Sequence, residues 1–235
     1  MQTTATAAQA TPRIAANCLG VDVPASPYLH DRRIARLNAG TYEEQEILGA
    51  LRCVRPGDTV LELGAGLGIV GAIVARNLRP ARVRSFEANP ALIPHIEALY
   101  ALNGLTDRIA VENRVLLAGP DQPEEVTLHL TNSYLGSSVH EKSEVRSAVQ
   151  VPTGDFDTAC AGAEVLIMDI EGAEIDILRQ ADLSGLRAVV IEFHPGVYGR
   201  AGLIECKDRL RAAGLAPIAS VSTRRVWACE RAGVR

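Results

Sequence analysis

The chain has 235 residues, of which 47% are hydrophobic and 22% are charged, and its formal net charge of -4 is typical of one soluble globular domain without room for a second full domain. Because the sequence has neither a strong basic excess nor an apolar run of about 20 residues, we expect no nucleic acid and no membrane as a partner. The five cysteines are far apart and form no C-x-x-C pair, so they predict neither a disulfide framework nor a zinc site and favour the cytoplasm.

The N-terminal residues differ in composition from the remainder of the chain. Residues 1–17 are rich in Ala, Thr and Gln and have few large apolar side chains, which predicts a flexible tail followed by a single domain over residues 18–235. Residues 42–51 then combine early acids with apolar side chains at helical spacing. This pattern predicts a helix with Thr41 as its N-cap.

A glycine-rich turn follows the first clear strand pattern. Residues 59–63 are apolar and β-prone, three glycines spaced two apart begin at Gly64, and an apolar helical pattern starts at Ile69. This order predicts a strand, a tight turn and a helix, with a ligand lying against the glycine backbone. Dinucleotide sites use G-x-G-x-x-G, whereas this spacing is G-x-G-x-G with Glu62 in the preceding strand.

An acid at the end of the second strand supports a nucleoside ligand. Residues 82–86 form the strand pattern and Glu87 follows it. The two oxygens of a carboxylate at this position can accept hydrogen bonds from both hydroxyls of a ribose. A dehydrogenase would use the same acid, so an NAD-dependent oxidoreductase stays open here. Ile109–Asn113 is predicted as a third strand, and the alternating residues 126–130 as an extra one.

Residues 165–168 are a continuous apolar run, which is typical of a strand buried on both faces of a sheet, and residues 188–193, apolar except for Glu192, are predicted as the next buried strand. The first is followed by Asp169 and Glu171, and the second by His194. The carboxyl ends of parallel strands share one edge of a sheet. We therefore expect these three side chains to face the same crevice as the glycine loop and the acid of the second strand.

The end of the chain bears on the fold class. Residues 216–221 and 225–229 form two strand patterns that are too close in sequence for a crossover, so they must pair antiparallel. We predict an α/β fold with a mostly parallel sheet, one antiparallel strand and helices on both faces. A parallel sheet with one antiparallel end strand resembles the sheet of class I methyltransferases, whereas the usual dinucleotide-binding domain is parallel throughout.

Three segments together resemble the FkbM family of S-adenosylmethionine-dependent methyltransferases. They are Asp169-Ile-Glu-Gly-Ala-Glu, the strand end Glu192-Phe-His194, and Tyr42-Glu43 ahead of Pro56-Gly-Asp and the glycine loop. The resemblance covers about residues 41–227. It implies a Rossmann-like class I fold with a seven-stranded sheet, S-adenosyl-L-methionine as cofactor, and O-methylation of a small molecule such as a sugar or a natural-product intermediate. Many members have Asn where this chain has Gly66.

The predicted site follows from the strand ends and from this resemblance. For catalysis we predict Asp169, Glu171 and His194. His194, with an unperturbed pKa of about 6.5, is the expected general base. Asp169 would orient the acceptor hydroxyl, act as the base itself or stabilise the positive sulfonium of the cofactor electrostatically. The predicted cofactor-binding residues are Tyr42, Glu62, Gly64, Ala65, Gly66, Gly68, Glu87, Ala88, Asn113 and Asp169.

Several alternatives stay open at this point. The expected partner is a small-molecule acceptor, whose pocket we expect from residues 20–45 and 131–147, and nothing in the sequence decides whether the chain forms a homodimer. Carboxyl or N-methylation is the alternative to O-methylation, and a non-catalytic binding module is a further rival. We predict no metal, although a divalent ion held by Asp169, Glu171 and His194 stays open.

Overall fold

The computed structural model describes residues 12–130 and 147–233, which contain twelve strands and seven helices. The strands are Ile14–Cys18 (β1), Val21–Pro24 (β2), Thr59–Leu63 (β3), Arg82–Glu87 (β4), Ile109–Asn113 (β5), Val115–Leu117 (β6), Glu125–Leu130 (β7), Ser147–Asp155 (β8), Val165–Met168 (β9), Ala188–Glu192 (β10), Leu215–Pro217 (β11) and Val226–Arg231 (β12). The helices are Asp31–Asn38 (α1), Glu44–Cys53 (α2), Ile69–Asn77 (α3), Ile93–Leu102 (α4), Phe156–Cys160 (α5), Glu174–Gln180 (α6) and Pro195–Ala212 (α7).

The main sheet has seven strands in the order β11-β12-β10-β9-β3-β4-β5. Strand β12 is antiparallel to both of its neighbours, and the pairs from β10 to β5 are parallel. The predicted α/β fold, with a mostly parallel seven-stranded sheet and one antiparallel strand, is confirmed. The central β9 is buried at all four positions, as its unbroken apolar sequence predicts.

Helices cover both faces of this sheet because successive side chains of each strand point to opposite sides. On one face, Val60 and Val190 pack in a core cluster with the inner sides of α2, α3 and α4. On the other face, Leu61 and Val189 pack in a second cluster with α5, α6 and α7. The two clusters hold the carboxyl ends of β3, β4, β9 and β10 along one edge of the sheet.

Strand β1 corrects the predicted tail over residues 1–17. Strands β1 and β2 form an antiparallel hairpin in which Ala16 and Cys18 are buried, so their small side chains do contribute to a core. Residues 1–11 lie outside the described residues. Helix α2 also begins later than predicted, at Glu44, and its N-cap is Glu43 in the left-handed region rather than Thr41.

A second, three-stranded sheet in the order β6-β8-β7 includes the extra strand predicted from residues 126–130. The polar stretch 131–146, which belongs to the predicted acceptor pocket, lies outside the described residues. Over the ranges that the structure describes, every helix is too short or too polar to cross a lipid bilayer.

Candidate active site

The glycine loop between β3 and α3 lies against the loop that follows β9. Gly64 has a φ of +82°, which favours glycine. A Cβ at this position would come within 1.7 Å of the backbone oxygen of Asp169. Glycine therefore allows the two loops to touch, and this contact brings Asp169 beside the glycine loop.

The remainder of the glycine loop is held by β4 and is open on one side. The N–H groups of Gly64 and Ala65 donate to the carbonyl oxygen of Phe86, at 2.9 and 3.1 Å. A Cβ built on Gly66 would meet no described heavy atom within 4 Å, and Gly68 forms the N-cap of α3. The backbone at this helix N-terminus is thus accessible to a ligand without steric conflict.

Glu87 ends β4 with its carboxylate against the glycine loop. Its Oε2 accepts a hydrogen bond from the N–H of Gly66 at 2.7 Å, and its Oε1 accepts one from the N–H of Asn89 at 2.8 Å. Burial raises the pKa of Glu87 to about 7, although these backbone donors oppose the shift. A carboxylate has about four acceptor directions, so the donors orient the group and leave capacity for a ribose hydroxyl. The geometry therefore fits the nucleoside part of the expected cofactor.

Three residues that were predicted to bind the cofactor lie behind this rim. Glu62 accepts a hydrogen bond from Ser85 inside the sheet, and burial raises its pKa to about 7 in spite of that bond. Asn113 donates through Nδ2 to the backbone oxygens of Glu87 and of the next residue, at 2.8 and 2.9 Å. Tyr42 is 3% exposed and packs in the core with α2, α3 and α4. The structure thus places Glu62 and Asn113 where they support the strand ends.

A cavity of about 280 Å³ opens along the ends of β3, β4 and β9. Five of the predicted site residues contribute to its wall: Gly64, Glu87, Ala88, Asp169 and Glu171. The small sheet adds apolar side chains, including Leu116 and Leu128, which sequence reasoning did not assign to the site. Leu128 belongs to the alternating pattern of residues 126–130, which predicted a strand but no contact with the site. The cavity thus combines an apolar wall with carboxylates at its rim, as ligand sites commonly do.

His194 follows β10 and precedes α7, with its ring among the carboxylates of the β9 loop. Its Nδ1 lies 2.9 Å from Glu174 Oε1. Its Nε2 lies 3.6 Å from Asp169 Oδ1 and 3.9 Å from Glu171 Oε2. The predicted catalytic residues Asp169, Glu171 and His194 are brought together because β9 and β10 are parallel neighbours.

Glu174, the last residue of the segment that resembles the FkbM family, is a member of this cluster that was not among the predicted site residues. Its side chain is fully buried, and Oε1 also accepts from the N–H groups of Ile170 and Gly172, at 3.2 and 3.1 Å. Between them, Glu171 has a φ of +55°, a conformation that is uncommon for a residue with a Cβ. The loop therefore wraps around the Glu174 carboxylate.

The charges of the cluster change the acid–base properties that the residue types predict. Burial lowers the pKa of His194, but the hydrogen bond and charge of Glu174, with the charges of Asp169 and Glu171, outweigh burial and raise the pKa to about 9. These charges favour the imidazolium form of the ring at neutral pH, whereas the unperturbed pKa of about 6.5 suggested a general base. Burial raises the pKa of Asp169 well above its ordinary range, although the charge of His194 opposes the shift.

Further carboxylates make this part of the molecule acidic. Burial raises the pKa of Glu46 in α2, and the charges of Asp169 and Glu43 add to that shift. Burial also raises the pKa of Glu192, while the charge of His194 opposes it. Such a concentration of acids favours neutral or cationic groups and repels a phosphate.

The sequence is similar to one protein family and, over part of its length, to known methyltransferases. A family model described as the methyltransferase FkbM domain matches residues 70–211, more than half of the chain. A ribosomal protein L11 methyltransferase of Bacillus cytotoxicus is 32% identical over 75 residues, which are 32% of this chain and 24% of that protein. The corresponding protein of Bacillus cereus is 29% identical over 75 residues, which are 32% of this chain and 24% of that protein. The match thus spans about a quarter of the length of these relatives.

Two solved structures are similar to this chain at low sequence identity. A ribosomal protein L11 methylase from Lactobacillus delbrueckii subsp. bulgaricus has a TM-score of 0.47 and 17% identity, covering 82% of this chain and 79% of that one. An RNA methyltransferase from Salinibacter ruber, in complex with S-adenosyl-L-homocysteine, has a TM-score of 0.45 and 16% identity, covering 80% of this chain and 92% of that one.

Proposed function

This chain belongs to the methyltransferase FkbM domain family, and on that premise we propose that it methylates a hydroxyl group of a small molecule. Membership makes the chain a transferase with S-adenosyl-L-methionine as methyl donor. The observation that carries the proposal is the pair of Asp169 Oδ1 and His194 Nε2, 3.6 Å apart, beside the glycine loop. An alcohol, unlike a carboxylate, has to lose a proton when it is methylated, and this pair offers a base at that position.

Binding of the donor is assigned to the glycine loop and the rim of β4. The donor supplies a methyl group that the positive charge of its sulfonium has already activated. Glu87 would hold the ribose, and the backbone of the glycine loop would face the amino-acid part. The apolar cavity wall at Leu116 and Leu128 would exclude water next to Glu87. The chain then has to align the donor and acceptor and remove one proton.

The roles of the catalytic cluster follow from its charges. Because its pKa is about 9, His194 keeps its proton at neutral pH, so we assign the base role to Asp169. The raised pKa of Asp169 makes its carboxylate a stronger base than an ordinary aspartate. His194 then acts as a positioning residue whose charge stabilises that carboxylate, while Glu174 holds the ring through Nδ1. Glu171, at the cavity wall, would contact the acceptor.

The acidic surroundings support a small acceptor over a nucleic acid. Glu192 lies close enough to Asp169 to raise its pKa, and the negative charge that this group of carboxylates shares would oppose a phosphate backbone. The same charges would attract an ammonium group, so N-methylation of an amine is the second candidate function. The five cysteines are buried free thiols, which supports a reducing compartment such as the cytoplasm.

Two measurements test this function. Calorimetric titration of the purified chain with S-adenosyl-L-methionine and with NAD should show binding of the first alone. A methyl-labelled donor is then offered with fractionated small alcohols, small amines, ribosomal protein or RNA. We expect the label to appear in alcohols and to be strongly reduced in the Asp169→Asn variant. The control Asp208→Asn removes the same negative charge at an exposed position and should leave the labelling unaffected. Label confined to RNA or protein would reject the small-molecule acceptor, and label in amines would establish the second candidate.

A further inference from the structure

Two carboxylate oxygens lie near His194 Nε2, but neither is close enough to form a hydrogen bond with it. The distances to Asp169 Oδ1 and Glu171 Oε2 are 3.6 and 3.9 Å, both too long for a hydrogen bond. Two ligands that each lie about 2.1 Å from one metal ion are separated by roughly 3 to 4.2 Å, depending on the angle between them. These separations therefore suit ligands around a shared ion.

Two orphaned oxygens in the same cluster provide an independent observation. Asp169 Oδ1 and Glu174 Oε2 are buried, and neither has a hydrogen-bond partner among the described residues. The Glu174 side chain is completely buried, and a buried charged oxygen without a partner is costly. One ring nitrogen of His194 and one oxygen from each of these carboxylates lie within 4.8 Å of one another. A cation bound to Asp169 Oδ1 would give that oxygen a partner and would compensate the negative charge that the buried Glu174 adds nearby.

The opposite side of the ring is arranged as in a metal-bound histidine. Its Nδ1 lies 2.9 Å from Glu174 Oε1, and Glu174 is itself held by two backbone N–H groups. A carboxylate that binds the second ring nitrogen orients a metal-ligating histidine and increases its basicity. The Asp169 side chain is 23% exposed, so an ion can reach the cluster from solvent.

We propose that this cluster is a divalent cation site, with His194 Nε2, Asp169 Oδ1 and Glu171 Oε2 as ligands and Glu174 as the carboxylate that orients His194. A bound cation takes the place of the Nε2 proton that His194 carries in its absence. One imidazole and several carboxylates suit a first-row ion such as Mn²⁺. The site revises the prediction that no metal is bound. Its catalytic meaning rests on the proposed function: a cation here would lie where the acceptor hydroxyl loses its proton, and it would lower the pKa of that hydroxyl.

The test is a titration of the full-length chain with Mn²⁺ in the absence of methyl donor, with free Mn²⁺ measured by electron paramagnetic resonance. We expect one ion per chain and at least a tenfold weaker affinity in Asp169→Asn and His194→Asn. The second variant keeps a donor near Glu174 but removes Nε2. We expect about a tenfold loss in Glu174→Gln as well. The control Asp208→Asn should bind as the wild type does, because its side chain is exposed on α7.

A measurement on the wild-type chain avoids any loss of fold in the variants. Bound Mn²⁺ broadens the ring signals of nearby histidines, and we expect this effect first at His194 among the five histidines of the chain. No saturable binding at millimolar Mn²⁺, equal affinity in His194→Asn, or first broadening at another histidine would each overturn the site. Donor binding is measured separately, so a failed cation site leaves the methyltransferase proposal standing, and the reverse also holds.

Discussion

Glu62 offers a sharp test of the electrostatics because its carboxylate lies inside the sheet rather than in the cavity. It is 2% exposed and accepts from the Ser85 hydroxyl, whose oxygen accepts in turn from the Tyr100 hydroxyl at 3.3 Å. Replacement by Gln keeps the shape of the side chain and removes the charge. We expect Glu62→Gln to be more stable than the wild type at pH 7.5 and to bind the donor with affinity within about threefold of the wild type.

The magnitude follows from the pKa of this group. Burial raises the pKa of Glu62 from 4.5 to about 7, although hydrogen bonds from Ser85 and the Gly71 backbone oppose the shift. Below pH 4.5 the group is protonated in both states. Between pH 4.5 and 7 the unfolded state loses the proton while the folded state keeps it, so the wild type loses stability as pH rises. At about 1.4 kcal/mol per pKa unit, the loss is about 3 kcal/mol and is complete above pH 7.

Urea unfolding between pH 4.5 and 8 measures this difference. The only tryptophan, Trp227, is 6% exposed in β12 and reports unfolding by fluorescence. The two proteins should have equal stability near pH 4.5 and differ by about 3 kcal/mol at pH 7.5. Glu112→Gln is the control, because the Glu112 side chain is 50% exposed. If the unfolding free energies of the two proteins changed with pH in parallel, the raised pKa of the buried carboxylate would be refuted. A large loss of donor affinity in Glu62→Gln would show that Glu62 takes part in binding the cofactor.

Three further predictions concern the loops and the base of the sheet. Gly64→Ala should cost at least about 2 kcal/mol in the free energy of unfolding, because its Cβ would overlap the backbone of Asp169. Melting at the wild-type temperature would contradict that contact. Glu87→Gln places an amide N–H against a backbone N–H, so calorimetry should show a loss of donor affinity of roughly 1–3 kcal/mol, and undiminished binding would remove the residue from the site. Asp58→Asn breaks a buried ion pair with Arg187 at 2.5 Å and should cost about 3 kcal/mol in urea unfolding, whereas a loss under 1 kcal/mol would show that the pair is effectively solvated.

Local sequence patterns predicted much of the architecture of the sheet. The apolar sequence of β9, the largely apolar sequence of β10, the glycine spacing after β3 and the two close strands at the end of the chain predicted a mostly parallel sheet with one antiparallel strand. Each of these signals depends on residues that are neighbours in sequence, because strand burial, tight turns and antiparallel pairing are constrained locally. The same reasoning placed Glu87 at the end of a strand next to the glycine loop, where its Oε2 lies 2.7 Å from the N–H of Gly66.

The N-terminal segment shows the limit of composition as a guide. Its small side chains predicted a flexible tail over residues 1–17, yet residues 14–17 belong to β1, and Ala16 is buried where β1 pairs with β2. A hairpin of this kind depends on the surface that the folded domain presents to it. Residue composition alone does not describe that surface.

By itself, the sequence predicted a mostly parallel sheet, the glycine loop, and the placement of Asp169, Glu171 and His194 at strand ends along one edge of that sheet. Only the tertiary structure decided their chemistry. Glu174, 20 residues before His194, becomes its hydrogen-bond partner, and the combined carboxylates raise the histidine pKa to about 9. The energy of a charge depends on burial and on every other charge within a few ångströms. Those distances exist only after the strands have been brought side by side.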